Sequence, residues 1–124
     1  MTLIKKFEDI IAWQEARKLV ANIYKLTNSG ALAKDYGMRD QLQRASVSAM
    51  TNIAEGFDCE SKVEFARFLS IARRSAVEVQ SLLYAARDVG YIDEQTFNAG
   101  YQQAEKAKAL IGGLKRSLKP RNIA

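Results

Sequence analysis

The sequence predicts an all-α fold, an antiparallel up-down-up-down four-helix bundle, on three observations. Apolar residues recur at three- and four-residue spacing in four separate stretches. Each stretch is bounded by residues that start or stop helices. Nowhere do β-branched residues alternate at period two around a strand-turn dipeptide, so no strands are assigned. At 124 residues and 48% apolar, with one Pro, the chain suits a single domain over 1–124 with an ordinary core.

The first helix is expected over about 9–29, with Ala12, Ala16, Leu19, Ile23 and Leu26 on one stripe, Trp13 and Val20 beside it and Gly30 after it. Asp35 can cap the second helix, about 36–56. One seam of that helix reads Met38, Leu42, Ala45, Ala49, Asn52 and Gly56, and Val47, Met50, Ala54 and Phe57 lie alongside. Gly56 is read as its stop. The third helix, about 62–89, opens on the capping-box spacing of Ser61 and Glu64 and closes at Gly90. Its main seam, Phe65, Leu69, Ala72, Ala76, Val79, Leu83 and Ala86, alternates four- and three-residue steps and so keeps one face toward a partner helix. A second seam runs Phe68, Ile71, Ser75, Glu78, Leu82, Ala85 and Val89. The fourth helix, about 94–118, begins at Asp93, with Ile92 and Phe97 spaced as a hydrophobic staple. It carries Phe97, Tyr101, Ala104, Ala107, Ile111, Leu114 and Leu118, and Pro120 follows.

The short connections make consecutive helices antiparallel neighbours. Ala45, Ala49, Ala72 and Ala76 would let the second and third helices approach closely. Both helices are apolar over more width than a monomeric bundle uses, which predicts a second buried surface between subunits.

Composition closes most enzymatic routes. The chain has no His, which removes the most versatile neutral-pH base, the Ser-His-Asp and Cys-His arrangements, imidazole metal sites and the di-iron bundle. Cys59 is the single Cys, so no internal disulfide or thiolate cluster forms, a usage that fits a reducing compartment. Residues 1–9 hold no long apolar core before their charges, and no eighteen apolar residues run together. The expectation is a soluble cytoplasmic protein without signal or membrane span. Gly112-Gly113 lacks the spacing of a phosphate loop and is read as a close helix contact or a weak point. No cofactor is expected.

Charge is the most informative feature. Residues 1–105 carry thirteen Lys and Arg against fourteen Asp and Glu, whereas Lys106, Lys108, Lys115, Arg116, Lys119 and Arg121 follow without an acid. The whole net charge of +5 is therefore C-terminal. One explanation is a solvated helix end whose cations complement the negative end of its dipole. The other is a polyanionic partner, and these six residues are the candidate nucleic-acid contacts. Trp13 and the five Tyr sit mostly at core spacing; Tyr91, beside a turn, stays open as a stacking platform.

Polar residues inside apolar seams form the second candidate site. Asn52, Glu55, Ser75 and Glu78 are expected to converge between the second and third helices, with Arg39 or Arg44. Glu55 and Glu78 could serve as acid and base or as oxygen ligands of a metal. The alternative, adopted as the expectation, is a hydrogen-bonded network that fixes register.

Three ungapped blocks carry a resemblance. Residues 36–45 (YGMRDQLQRA), 52–56 (NIAEG) and 64–73 (EFARFLSIAR), with Arg87-Asp88-Val89-Gly90-Tyr91-Ile92 after them, resemble the four-helix-bundle proteins of intervening sequences in bacterial 23S ribosomal RNA genes, over about 7–115. That family is similar in fold to accessory proteins of diversity-generating retroelements. The resemblance implies a cytoplasmic homopentameric ring and, in the retroelement members, a basic surface associated with nucleic acid and a reverse transcriptase. The sequence departs from the family pattern at Met50 and Thr51, where a mid-helix proline is usual, and at Arg74, where a Gly is usual. Five copies of a basic stripe in a ring would make a continuous positive surface. The expected function is therefore a non-enzymatic oligomer that binds nucleic acid, RNA or an RNA–protein complex, with itself and a nucleic-acid-processing protein as partners. A homo-oligomeric protein-interaction scaffold without a nucleic-acid role is the alternative.

Overall fold

Local chemistry sets the helix limits. Asp35 Oδ1 accepts from Met38 N at 3.1 Å, Ser61 Oγ from Glu64 N at 3.2 Å and Asp93 Oδ1 from Thr96 N at 2.8 Å, so the three start signals are the caps of their helices. The box at Ser61 is half made, because the Glu64 carboxylate turns to Arg67 at 2.9 and 3.1 Å. The computed structural model describes residues 4–118. Among them are four α-helices and no strand: α1 (Ile11–Thr27), α2 (Tyr36–Asp58), α3 (Lys62–Asp88) and α4 (Glu94–Ser117).

Two boundaries differ from the sequence expectation for physical reasons. The chain enters α1 through a single 3-10 turn at Phe7–Asp9, after which Ile10 is extended, so α1 starts later than expected. Gly56 does not end α2. It lies inside the helix, where a Cβ would come within 2.6 Å of Phe68 Cβ and 2.9 Å of Phe65 Cδ1, so its role is close approach of α2 to α3. Gly90, by contrast, does take the left-handed conformation, at φ 84°. Gly90 N then donates to Arg87 O and Tyr91 N to Ala86 O, which satisfies the last carbonyls of α3.

The helices pack as a four-membered bundle, α3 against α2 and α4, and α1 against the same two. The main seam of α3 is its spine: Leu69, Ala72, Ala76, Val79, Leu83 and Ala86 are fully buried. One half of the core gathers Leu19, Ile23, Leu32, Leu42, Val79, Leu83 and Phe97; the other gathers Ile10, Ala16, Ile53, Leu69, Ala72 and Ile111. Ala45, Ala49, Ala72 and Ala76 all lie in the buried interior. The second stripes do not close in the same way. Val47, Met50, Phe57, Phe68, Ile71 and Leu82 are half-buried, and Val63 and Val89 are exposed. The helix α2 runs unbroken through Met50 and Thr51, whose hydroxyl donates to Val47 O at 3.0 Å, and Arg74 stays outside the core.

Sequence reasoning missed four buried polar residues, Glu15, Thr27, Ser46 and Gln80, and each has a partner. Ser46 Oγ donates to Gln43 O at 3.0 Å. Thr27 Oγ1 donates to Ile23 O at 2.7 Å and accepts from Gln43 Nε2 at 2.9 Å. Gln80 Nε2 donates to Glu105 Oε1 at 3.2 Å. Among the described residues no buried side-chain nitrogen or oxygen lacks a partner.

Candidate nucleic-acid interface

The basic helix α4 divides its cations into those paired with a carboxylate and those without one among the described residues. Lys106 Nζ lies 3.3 Å from Glu15 Oε1, which Lys18 Nζ also reaches at 3.3 Å. Burial opposes ionisation of Glu15, yet the two ammonium groups outweigh it and hold its carboxyl below the usual value. Lys108 Nζ lies 3.1 Å from Glu105 Oε1. The Glu105 carboxyl is likewise lowered, first by the Gln80 amide and then by Lys108. A phosphate reaching Lys106 or Lys108 must therefore displace a carboxylate. Lys115 and Arg116 have no carboxylate among the described residues within 4.0 Å. Lys119 and Arg121 lie outside the described residues.

The polar seam is smaller than its spacing suggests. Asn52 Nδ2 donates to Ser48 O at 2.9 Å and to Ser48 Oγ at 3.0 Å, and the Ser48 and Ser75 hydroxyls meet at 2.8 Å. Ser48, absent from the sequence-based set, is thus the hub that joins Asn52 to Ser75. Glu55 and Glu78 do not join it. Both are exposed, because their positions fall on the rims of the α2 and α3 seams. Glu78 instead borders a shallow cavity of about 160 Å³ with Gln41, Arg44 and Ser48. Arg39 is elsewhere, bonded to Asp40 and Ala33 O. Asn52→Ala is expected to cost about 1 kcal/mol. Glu78→Ala should stay within about 0.5 kcal/mol, as exposed substitutions do. Thermal unfolding of both variants at one protein concentration checks this; a large loss at Glu78 would mean that it is covered in the assembled protein.

Tyr91 is not free to stack on a base. Its hydroxyl donates to Asp35 Oδ2 at 2.9 Å, tying the α3–α4 turn to the cap of α2, and that bond raises the Tyr91 pKa. Trp13 is engaged edge-on by Phe7, with ring centres 5.1 Å apart. Among the described residues no three Cys, Asp or Glu side chains gather as a metal site, and no helix is long and apolar enough to cross a membrane.

Comparison with known proteins agrees with this architecture. A structure from Bacteroides thetaiotaomicron, described as a protein with unknown function from the S23 ribosomal protein family, superposes with a TM-score of 0.78 at 20% identity. The match covers 86% of this chain and 99% of that one, a likeness of fold. No curated protein matches the sequence. The family model of the 23S rRNA-intervening sequence protein matches residues 8–113, and with the four-helix fold this places the chain in that family.

Proposed function

We propose that the protein is a non-enzymatic, cytoplasmic oligomer that binds nucleic acid, RNA or an RNA–protein complex, through the basic end of α4. The observation that carries the reading is the separation of charge. Acids balance the first 105 residues, none follows, and Lys115 and Arg116 stand without a carboxylate among the described residues. Cations that have no carboxylate partner among the described residues, and that the negative end of the α4 dipole offsets only in part, give a field that attracts a phosphate backbone. The likeness to retroelement accessory proteins expected from the sequence would add a nucleic-acid-processing protein, such as a reverse transcriptase, as a further partner.

The test is substitution. Lys115→Gln with Arg116→Gln should leave the bundle folded and flatten the salt dependence of RNA affinity by about 0.7–0.9 log units per decade for each phosphate no longer neutralised. Lys106→Gln and Lys108→Gln should matter less, since Glu15 and Glu105 already hold those ammonium groups. Equal effects from the two pairs would remove the distinction.

Assembly belongs to the same reading. Val63 is 78% exposed and Tyr36 64%, beside the half-buried second stripes of α2 and α3. Five antiparallel bundles closing a ring on those stripes would cover them and repeat the basic surface around one axis. Sedimentation equilibrium should give about 70 kDa from 13.9 kDa chains, and a stable monomer at micromolar concentration would contradict it. The same apolar stripes favour the second reading, a scaffold that recruits a protein. That reading expects the oligomer without RNA affinity.

A further inference from the structure

Gly112 and Gly113 interrupt α4 within its last two turns, where glycine is unfavourable and needs a reason. The close helix contact expected from the sequence is not that reason. A Cβ at Gly112 would meet only two groups within 4 Å, Arg116 Nη1 at 3.4 Å and Arg73 Nε at 3.8 Å. A Cβ at Gly113 would meet only Arg116 Nη2, at 3.8 Å. The glycines thus leave space that the Arg116 guanidinium on α4 and, at Gly112, the Arg73 guanidinium on α3 both approach.

Two like charges this close repel, weakly because both side chains are exposed to water, and a shared anion would turn that repulsion into attraction. No carboxylate among the described residues lies within 4.0 Å of either group. Glu105 feels the field of Arg73, but its carboxylate is already bonded to Gln80 and Lys108. We propose that Arg73 and Arg116 form a clamp for one backbone phosphate of a bound RNA, a role that deepens the nucleic-acid reading and rests on it. Because both nitrogens lie close to the Gly112 point, they are within about 7 Å of each other, a gap that two charge-assisted hydrogen bonds of about 2.8 Å to separate oxygens of one phosphate can span. The planar fork of each guanidinium suits that geometry, and a lysine ammonium does not. Arg73 stands outside the C-terminal set of candidate residues because it belongs to a different helix.

The experiment uses the full chain and a fluorescein-labelled single-stranded RNA, read by anisotropy. R73K/R116K keeps every charge and loses both forks, and K25Q loses one charge at the opposite end of α4's neighbour α1. Circular dichroism melts confirm that each variant is folded. The clamp predicts that R73K/R116K weakens binding on the order of tenfold while K25Q changes it less than about twofold. Wild-type affinity in R73K/R116K would overturn the clamp and leave a diffuse charge reading standing. If the unsubstituted protein does not bind RNA, pyrophosphate is titrated while the arginine Nε–H signals are followed by NMR. Saturable shifts at both Arg73 and Arg116 would keep the clamp and end the nucleic-acid reading. No shift at either would end both.

Discussion

Replacing Leu83 by Ala is expected to destabilise the protein by about 2–5 kcal/mol, against a typical total of about 5–15 kcal/mol for a domain. Leu83 is fully buried in the half of the core that joins α1, α2, α3 and α4. Its Cδ1 sits 3.1 Å from where a Cβ on Gly100 would be, so a methyl there fits only if Leu83 gives way by a few tenths of an ångström. Truncation removes transfer energy and leaves a void that a helix interface cannot fully collapse. Gly100→Ala supplies an internal check. Alone it should crowd Leu83, and in the Leu83→Ala background its methyl should occupy part of the void. The double variant should therefore lose less than the two single losses combined. Urea unfolding at fixed protein concentration would measure the cycle, and simple additivity would mean that the two side chains do not share space.

The second large effect is at Gly56. Gly→Ala inside a helix normally stabilises by about 0.5–1 kcal/mol. Here the sign should reverse. A Cβ at residue 56 would fall 2.6 Å from Phe68 Cβ, an atom fixed to the backbone of α3, and 2.9 Å from Phe65 Cδ1. Phe65 can turn, but Phe68 Cβ moves only if α2 and α3 separate, and overpacking of that kind costs about 1–3 kcal/mol. Gly113→Ala in α4 is the contrast, since its Cβ meets only the flexible Arg116 side chain. A rise in melting temperature for Gly113→Ala with a fall for Gly56→Ala confirms the assignment; a rise in both contradicts it.

These positions show what sequence can reveal. The α3 seam from Leu69 to Ala86 is legible because a strict alternation of four- and three-residue steps has one helical solution, and all its residues are buried. The caps at Asp35, Ser61 and Asp93 are legible because capping depends on a few adjacent residues. Gly56 reads as a stop because a glycine that permits close approach and one that ends a helix look alike until the neighbouring helix is placed. Spacing alone draws Glu55 and Glu78 into the seam, and a one-residue displacement around a helix separates rim from interior. The Lys108–Glu105 pair is readable from its three-residue separation. The Lys106–Glu15 pair, 91 residues apart along the chain, is not. Ser48 escapes notice because a serine in a helix signals nothing until Ser75 faces it. The same limit hides Arg73, which gains its meaning from Arg116 and the glycines of another helix.

The central claim is that the cations at the end of α4, which have no carboxylate partner among the described residues, bind a phosphate backbone. Its most direct measurement is the affinity of the unsubstituted protein for a labelled single-stranded RNA across a salt series from about 50 to 200 mM, with the oligomeric state monitored in the same buffers. The account predicts that the logarithm of the binding constant falls linearly with the logarithm of salt, by about 0.7 log units per decade for each phosphate neutralised. An intact oligomer that shows no binding at the lowest salt, or binds with an affinity that salt does not change, would contradict it.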